Sequence, residues 1–165
     1  MRAGATVSGT IRAMHVTAKA DYAVRAVLEL ADASKDAPRK VELLAQAQDI
    51  PTSFLENILA QLRSAGIVRS KRGLDGGYWL ARPAAELPLA TVIRAVEGPL
   101  VGVRGQPPEE VTYNGSAEAL QQVWLALRAN LRKVLEHVTV ADVASGRLPK
   151  RIVALTREED AWRMR

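Results

Sequence analysis

The sequence predicts a mainly α-helical protein with one small β-hairpin, arranged as a winged helix-turn-helix domain followed by a long helix. Three observations predict this fold class. Two helical patterns lie only a few residues apart, a basic hairpin follows them at once, and a long stretch near the C-terminus has one continuously apolar face. The composition agrees with a helical chain, because only 4% of the 165 residues are aromatic while Ala and Leu are abundant.

The helical patterns begin soon after the N-terminus. We expect residues 1–13 to form a disordered extension and residues 14–97 to form the winged helix-turn-helix domain. The first helix begins after Thr17, whose hydroxyl suits an N-cap, and its apolar spacing continues to about Ala33. A second helix fits Val41–Gln48, which is followed by a short turn.

The third helix is expected over Thr52–Ser64, with Gly66 placed as its C-terminal cap. Ser53 and Glu56 have the spacing of a capping box, which would shift the start of the helix by a residue or two. Its apolar face would contain Phe54, Leu55, Ile58, Leu59 and Leu62.

The stretch GIVRSKRGLDGGYWLARP, residues 66–83, reads as a cationic hairpin. Two short strands fit Ile67–Lys71 and Gly77–Ala81, and the Asp-Gly-Gly between them supplies the positive-φ residues of a turn. A helix-turn-helix followed directly by a two-stranded ribbon is the winged-helix arrangement. The hairpin is therefore predicted to be a wing whose cations face a phosphate backbone.

The second half of the chain predicts a helix pair around a loop. A fourth helix fits Pro88–Glu97, residues 98–115 are rich in Gly and Pro and form a flexible loop, and 116–145 is the dimerisation helix region. Its long helix should cover 116–138, roughly 35 Å. Thr139 to Ala144 fits a short helix, and 146–165 is a basic tail with a helical turn near Glu158 to Met164.

One face of the long helix is too apolar to be buried by so small a domain. We expect it to pair with its twin in a two-fold homodimer. The expected dimer-interface residues are Leu120, Val123, Trp124, Leu127, Leu131, Val134 and Val138.

The charge and the motifs together indicate a nucleic-acid partner. The net charge is +5, which suits an anionic partner but is weak support by itself. The predicted DNA-binding residues are Thr17, Lys19, Thr52, Ser53, Phe54, Glu56, Asn57, Arg63, Arg69, Lys71, Arg72 and Gly73. Because a recognition helix needs polar side chains at its N-terminal end, we expect base contacts from the third helix.

Individual roles in this set have alternatives. Asn57 could pair with adenine and Glu56 could accept from a cytosine amine, although Ser53 and Glu56 could merely cap the helix. Phe54 could pack beneath the helix or lie against a sugar or a thymine methyl, and we expect it to be partly exposed because Leu55 and Ile58 already supply the core. Arg63 could hold a phosphate or only offset the helix dipole.

The wing and the N-terminus of the first helix supply the remaining contacts. The Arg72-Gly73 pair suits a narrow minor groove, because glycine lets the backbone approach the duplex. Arg69 and Lys71 would touch phosphate or remain solvated hairpin charges. Thr17 and Lys19 could hold a phosphate at free helical N–H groups.

The chain resembles the Rrf2 family of bacterial transcription regulators over roughly residues 14–145. The matching stretches are VTAKADYAVRAVLEL at 16–30, DIPTSFLENILAQLRSAGIVRSKRGLDGGYWLARP at 49–83, and ELPLATVIRAVEGPL at 86–100. The resemblance implies a dimeric winged-helix regulator with a sensor at the 98–115 loop. It also strengthens the assignment of Arg72 to DNA.

This sequence departs from the family at the sensor. Members that bind an iron–sulfur cluster carry three cysteines in that loop, whereas this chain has no cysteine. Asp21 stands where some relatives place another ligand, and we interpret it as an ordinary exposed residue. We therefore expect no cofactor and no metal site, and the competing hypothesis is a cluster held by Asp21, Glu109, Glu110 and His137.

The resulting prediction is a cytoplasmic, non-enzymatic, sequence-specific regulator, a repressor, that binds double-stranded DNA at a pseudo-palindromic operator. No catalytic constellation and no membrane-length apolar run occurs in the sequence. The signal could be a small molecule, a partner protein or nothing. The alternative function is a winged-helix protein-interaction module or a nonspecific DNA binder.

Overall fold

The computed structural model describes residues 16–163, and within this range helices predominate around one two-stranded sheet. The helices are α1 (Ala18–Glu29), α2 (Val41–Gln48), α3 (Thr52–Ser64), α4 (Leu89–Glu97), α5 (Leu120–Leu135), α6 (Val140–Ala144) and α7 (Lys150–Thr156). Strands β1 (Val68–Lys71) and β2 (Gly77–Leu80) form the hairpin, and four short 3₁₀ turns occupy Ala84–Glu86, Pro108–Glu110, Gly115–Ala117 and Glu159–Trp162. The mainly α fold with a small hairpin is confirmed. The predicted disordered extension, residues 1–13, lies outside the described residues.

Local signals mark the start of α1 and the end of α3. Thr17 caps α1, because its side-chain oxygen accepts from the Ala20 amide at 3.0 Å. At the end of α3 the Gly66 amide donates to Arg63 and the Ile67 amide donates to Leu62, and Gly66 has φ +70°. These paired bonds are a Schellman motif, which requires a residue that tolerates the left-handed region.

The hairpin is antiparallel and is extended by one backbone bridge. Val68 pairs with Leu80 and Lys71 pairs with Gly77. Ahead of α2, Arg39 exchanges two backbone hydrogen bonds with Tyr78, at 2.9 and 2.7 Å. The bridge fixes the wing against the start of the helix-turn-helix.

The core lies between α1, α3 and α4 and also includes α6. The fully buried side chains of α3 pack against α1, and Val140 of α6 is fully buried in the same cluster. The Val140 amide donates to Leu87 and the Leu89 amide donates to Val138, each at 2.9 Å. The chain that leaves the winged-helix unit at α4 therefore returns to it after α5.

Several predicted boundaries differ from the structure. α1 ends at Glu29 instead of near Ala33, because a series of tight turns follows Leu30. α5 covers 16 residues, about 24 Å, instead of 116–138. It starts late because Gly115–Ala117 forms a 3₁₀ turn, and it stops at Leu135 because Thr139 caps the next helix.

The C-terminal tail contains a helix that was not predicted. Pro149 precedes α7, and Ile152 is the buried residue of that helix. A short helix with one buried side chain gives almost no apolar periodicity, so the sequence reads as a polar tail. The predicted helical turn near the end corresponds to Glu159–Trp162.

Candidate nucleic-acid interface

The recognition helix α3 is anchored by one face and exposes the other. Leu55, Ile58, Leu59 and Leu62 are at most 1% exposed and fix the helix against the core. The predicted base-reading residues are all exposed at its N-terminal half: Thr52, Ser53, Phe54, Glu56 and Asn57. A rigid helix that presents polar side chains at this end has the geometry for reading a major groove.

The predicted capping box of α3 is wrong. Pro51 is the N-cap and no side chain caps the helix, so neither Ser53 nor Glu56 is used for this purpose within the described residues. With Pro51 as the N-cap the helix begins at Thr52, which places Ser53 inside the first turn. Helix capping is therefore not the role of Ser53 and Glu56. Both side chains are exposed on the surface of α3.

Asn57 and Phe54 have defined neighbours. The Asn57 side-chain amide donates to the Ser53 carbonyl at 3.1 Å, one helical turn back. Phe54 is 43% exposed and meets Tyr22 of α1 edge to face, with ring centroids 5.7 Å apart. The expected partial exposure of Phe54 is confirmed, so one edge of its ring is supported while the rest faces outward.

The wing presents its cations outward. Arg69, Lys71, Arg72 and Gly73 are exposed, while Val68 of the same strand is 1% exposed. Gly73 has φ +104° and open space around the position of a Cβ atom. The backbone at the wing can therefore approach a ligand closely, as the predicted minor-groove role requires.

Two further glycines shape the wing. A Cβ atom at Gly76 would lie 2.3 Å from the Lys71 carbonyl oxygen. At Gly77 it would lie 2.5 Å from the Arg39 carbonyl oxygen. Because both obstacles are backbone atoms, glycine is required at each position.

Arg63 connects the recognition helix to the wing. Its guanidinium donates to the Ser70 hydroxyl at 3.2 Å. Between α2, the end of α3 and the wing lies a cavity of about 390 Å³, whose cations are Lys40, Arg63, Lys71 and Arg72 and whose acidic side chain is Glu42. The C-terminal end of α3 and the wing thus share one cavity in which cations outnumber carboxylates.

These cations have no carboxylate partners in the described part of the chain. Each ion pair found there is located elsewhere, and none includes Arg63, Arg69, Lys71 or Arg72. Arg39 nearby, in contrast, is paired with Asp32 at 3.0 Å. Positive charge that its own fold leaves unneutralised is suited to the phosphates of an anionic partner.

Thr17 and Lys19 are engaged at the end of α4. The Thr17 hydroxyl donates to Glu97 at 2.7 Å, and the Lys19 ammonium donates to the Val96 carbonyl. The contacts recorded for both side chains therefore join α1 to α4. A phosphate at this position would have to compete with the α4 carbonyl for the Lys19 ammonium.

Two residues of this surface were missed by the sequence prediction. Lys40 precedes α2 and lines the cavity, and Leu74 at the tip of the wing is 90% exposed. A cation directly before the first helix of a helix-turn-helix is a signal that could have identified Lys40. An apolar residue between Gly73 and Asp75 in an otherwise polar turn could have identified Leu74.

The α5 surface carries the predicted dimer residues. No residue of α5 is buried by the described chain, although Leu120, Trp124, Leu127, Leu131 and Val134 are partly covered and Val123 is 54% exposed. Trp124 donates from its indole nitrogen to the Tyr113 hydroxyl at 3.0 Å. An amphipathic helix without a buried residue leaves its apolar stripe available to a partner.

Val138 does not belong to that stripe. It is 4% exposed, and its carbonyl accepts from the Leu89 amide. The prediction that it lies in a dimer interface is wrong, because the chain returns to its own core at this residue.

The loop between α4 and α5 lies along α5. The Gln121 side-chain amide donates to the carbonyls of Glu109 and Val111, at 3.1 and 2.8 Å, and Val111 is 1% exposed. Glu109 accepts from Arg128, and hydrogen bonds from its backbone and from that guanidinium lower the pKa of Glu109. The predicted flexibility of 98–115 stays a prediction.

The residues present do not fit an iron–sulfur cluster. Such clusters are held mainly by cysteine thiolates, and the chain has none. The four competing ligands are not gathered in the structure: Asp21 pairs with Arg25 at 3.0 Å, Glu109 pairs with Arg128, and residues 16–163 contain no group of three potential metal ligands. A cluster held by Asp21, Glu109, Glu110 and His137 is therefore contradicted.

The helices of the described range include none that is both long and apolar enough to cross a membrane. This finding agrees with the absence of a membrane-length run in the sequence.

Comparison with known proteins identifies the family. Residues 16–146 match the Rrf2 model, described as an iron-dependent transcriptional regulator. Rv1287 of Mycobacterium tuberculosis, named as an HTH-type transcriptional regulator, is 49% identical over 142 residues, 86% of this chain and 88% of that protein. The HTH-type transcriptional regulator CymR of Bacillus subtilis is 30% identical, over 80% of this chain and 91% of its own.

Solved structures agree with the sequence relatives. CymR, the global cysteine regulator of B. subtilis, superposes with a TM-score of 0.68 at 29% identity, over 81% of this chain and 98% of that chain. IscR of T. potens superposes with a TM-score of 0.63 at 28% identity, over 92% and 93%. The chain therefore belongs to the Rrf2 family of winged-helix transcriptional regulators, a family of regulators and not of enzymes.

Proposed function

We propose that this protein is a dimeric, sequence-specific DNA-binding repressor that works without an iron–sulfur cluster in the bacterial cytoplasm. The observation that carries the proposal is the exposed surface of two elements: the N-terminal half of α3 presents polar side chains, and the wing presents cations that have no carboxylate partner in the described residues. Base edges require hydrogen-bonding side chains on a rigid helix, and phosphates require free positive charge. This surface offers both.

The two parts of the surface have different tasks. In a major groove, Asn57 would exchange its intrahelical bond to Ser53 for a bidentate pair with adenine. This exchange costs little free energy, because the Ser53 carbonyl remains part of the helical backbone when the side chain leaves it. Arg72 would enter the adjacent minor groove while Arg69 and Lys71 contact phosphates, so affinity depends on the wing and discrimination depends on α3.

The dimer is formed through α5. Burying a leucine or valine side chain stabilises an interface by about 1.5–3 kcal/mol, and the α5 stripe offers several such side chains that the chain leaves at least partly exposed. A two-fold pairing of α5 presents two recognition helices to one duplex. The operator should then be a pseudo-palindrome with half-sites about one helical turn, or a multiple of it, apart.

Repression follows from occupancy. A dimer that covers two half-sites within a promoter excludes polymerase from the same DNA. Because the chain has no cysteine, it offers no thiolate to an iron–sulfur cluster. We expect any other signal to act at the 98–115 loop and its surroundings.

The function is tested by selecting bound fragments from sheared genomic DNA with the purified protein at physiological salt. A shared palindromic motif is expected. Fragments without a shared motif, bound with a steep dependence on salt, would instead indicate a nonspecific binder. No recovery of DNA would indicate a protein-interaction module.

The dimer is tested by sedimentation of Leu127→Asp. A charge in the α5 stripe should produce a monomer, because the interface would have to bury an unpaired carboxylate. Ala129→Asp is the matched control, since Ala129 is exposed on the opposite side of the same helix and should leave the dimer intact. A dimer for both variants would place the interface elsewhere.

A further inference from the structure

A second cationic cavity lies away from the wing, between α4 and α5. It measures about 270 Å³ and is lined by Arg94 of α4, by Arg128 and Arg132 of α5, and by the chain from Gly98 to Leu100. Arg128 is the most covered of the three arginines, with 19% of its side chain exposed. We call this cavity the arginine pocket.

The wall of the arginine pocket contains three guanidinium groups and no carboxylate. Two of the arginines, Arg128 and Arg132, are one turn apart on α5, a spacing at which like charges destabilise a helix. Here the fold holds both side chains at one cavity and adds a third cation from another helix.

Acidic partners at the rim only partly offset this charge. Glu136 is shared, since it accepts from Arg94 and lies 3.7 Å from Arg132, and Arg128 contacts Glu109. The hydrogen bond from Arg94 lowers the pKa of Glu136, so this carboxylate is ionised near neutral pH. Two carboxylates thus serve three guanidiniums.

Many donors of the arginine pocket are unused. A guanidinium carries five N–H donors, and the hydrogen bonds found within residues 16–163 use one nitrogen of Arg94 and one of Arg128. The Arg132 side chain makes an ion pair but no hydrogen bond in that range. Free donors that converge on one cavity are the geometry by which arginines bind oxyanions in pairs.

The remaining wall limits the ligand. Pro99 and Leu100 add apolar surface beside the guanidiniums. The volume of about 270 Å³ lies just below the usual range for sites of drug-sized ligands, about 300–1,000 Å³, so the ligand must be small. A compact organic molecule with two or three oxyanion groups fits both the charge and the space.

We propose that the arginine pocket binds a small organic polyanion and that this ligand is the effector of the regulator. The pocket joins α4, which belongs to the winged-helix unit, to α5. A ligand held by Arg94 on one side and by Arg128 on the other therefore favours one relative placement of the two helices. Coupling to DNA follows by linkage, and this second step rests on the proposed function.

The site is tested first without DNA. Calorimetric titration with citrate, at fixed ionic strength and with the full chain, should show one site per protomer. Arg128→Gln should weaken citrate binding about tenfold or more, because it removes a charge-assisted contact. Arg157→Gln removes the same charge from an exposed position outside the pocket and should leave binding unchanged.

A substitution at the rim gives a result of the opposite sign. Glu136→Gln removes the carboxylate that competes for Arg94 and Arg132, so citrate should bind several-fold more tightly. A pocket whose arginines only support the fold would show no gain. Arg72→Ala should not alter citrate binding, and a loss in that variant would show that citrate binds at the wing and would overturn the proposal.

The effector role is tested separately, by titrating the selected operator with and without citrate at matched ionic strength. A change of about threefold or more that disappears in Arg128→Gln supports it. Citrate binding with an unchanged operator affinity would overturn the effector role and leave the DNA-binding function intact. Equal citrate binding by the wild type and Arg128→Gln would overturn the site, whatever the DNA result.

Discussion

Gly76→Ala should impair DNA binding although it alters no charge. The added methyl carbon would lie 2.3 Å from the Lys71 carbonyl oxygen and 2.8 Å from the Gly73 carbonyl oxygen. Ordinary contacts begin at 3.4 Å, so the wing backbone has to move by about 1 Å. The Gly76 amide, which donates to Gly73 at 3.0 Å, is part of the turn that must open.

The size of the effect follows from which atoms move. Overpacking of this kind costs about 1–3 kcal/mol of stability, and a chain of this length loses roughly 2–4 °C of melting temperature for each kcal/mol. The displaced segment holds Arg72 and Gly73. Losing the Arg72 contact should weaken operator binding by about 1–3 kcal/mol, which is roughly 5- to 150-fold.

Fluorescence anisotropy with the selected operator measures the binding, and thermal unfolding confirms that the protein is folded. Gly102→Ala is the matched control, because its Cβ atom would meet only the Gln106 carbonyl oxygen at 3.7 Å. It should change neither property. If Gly76→Ala bound the operator as tightly as the wild type, the backbone conformation of the wing would not matter for binding. That result would contradict the proposed contact of Arg72 with the minor groove.

Three other predictions concern side chains. Arg72→Ala should weaken operator binding by about 1–3 kcal/mol and make its salt dependence less steep, and an unchanged affinity would argue against the minor-groove contact. Asn57→Ala should relax base preference at one position of each half-site in repeated selection; an unaltered profile would remove its base-reading role. Asp142→Asn should destabilise the protein at neutral pH, because hydrogen bonds from the Thr139 backbone amide and hydroxyl lower the pKa of Asp142. Since the folded pKa lies below the unfolded value of about 3.9, this stabilisation is present above pH 4 and is lost as the pH falls through the folded pKa, so urea titrations of the two proteins should converge in acid.

Several helix boundaries could be predicted because their signals are local. The α2 and α3 bounds follow from the turn at Asp49 to Pro51, and the Thr17 and Thr139 caps need only neighbouring residues. The wing was recognisable for the same reason. Its strands, its turn glycines and its cations occupy one continuous stretch.

Other predictions failed because a local pattern in the sequence was overridden by packing or by a neighbouring residue. The apolar spacing of α5 continues through Val138, but the fold uses Val138 for the core beside α4, and the helix ends earlier. Ser53 and Glu56 have the spacing of a capping box, yet Pro51 starts the helix ahead of them. Tertiary packing and the position of a proline decided these cases.

By itself, the sequence determined the fold class and the family and predicted the residues of the proposed recognition surface, because each depends on residues close together in the chain. The lack of cysteine also determined, without any structure, that a thiolate-held cluster is impossible. Only the tertiary structure decided that Lys19 binds the end of α4 and that Arg94 meets Arg128 and Arg132. Those contacts join residues more than thirty positions apart, and no periodicity or spacing records which helix faces will pack together.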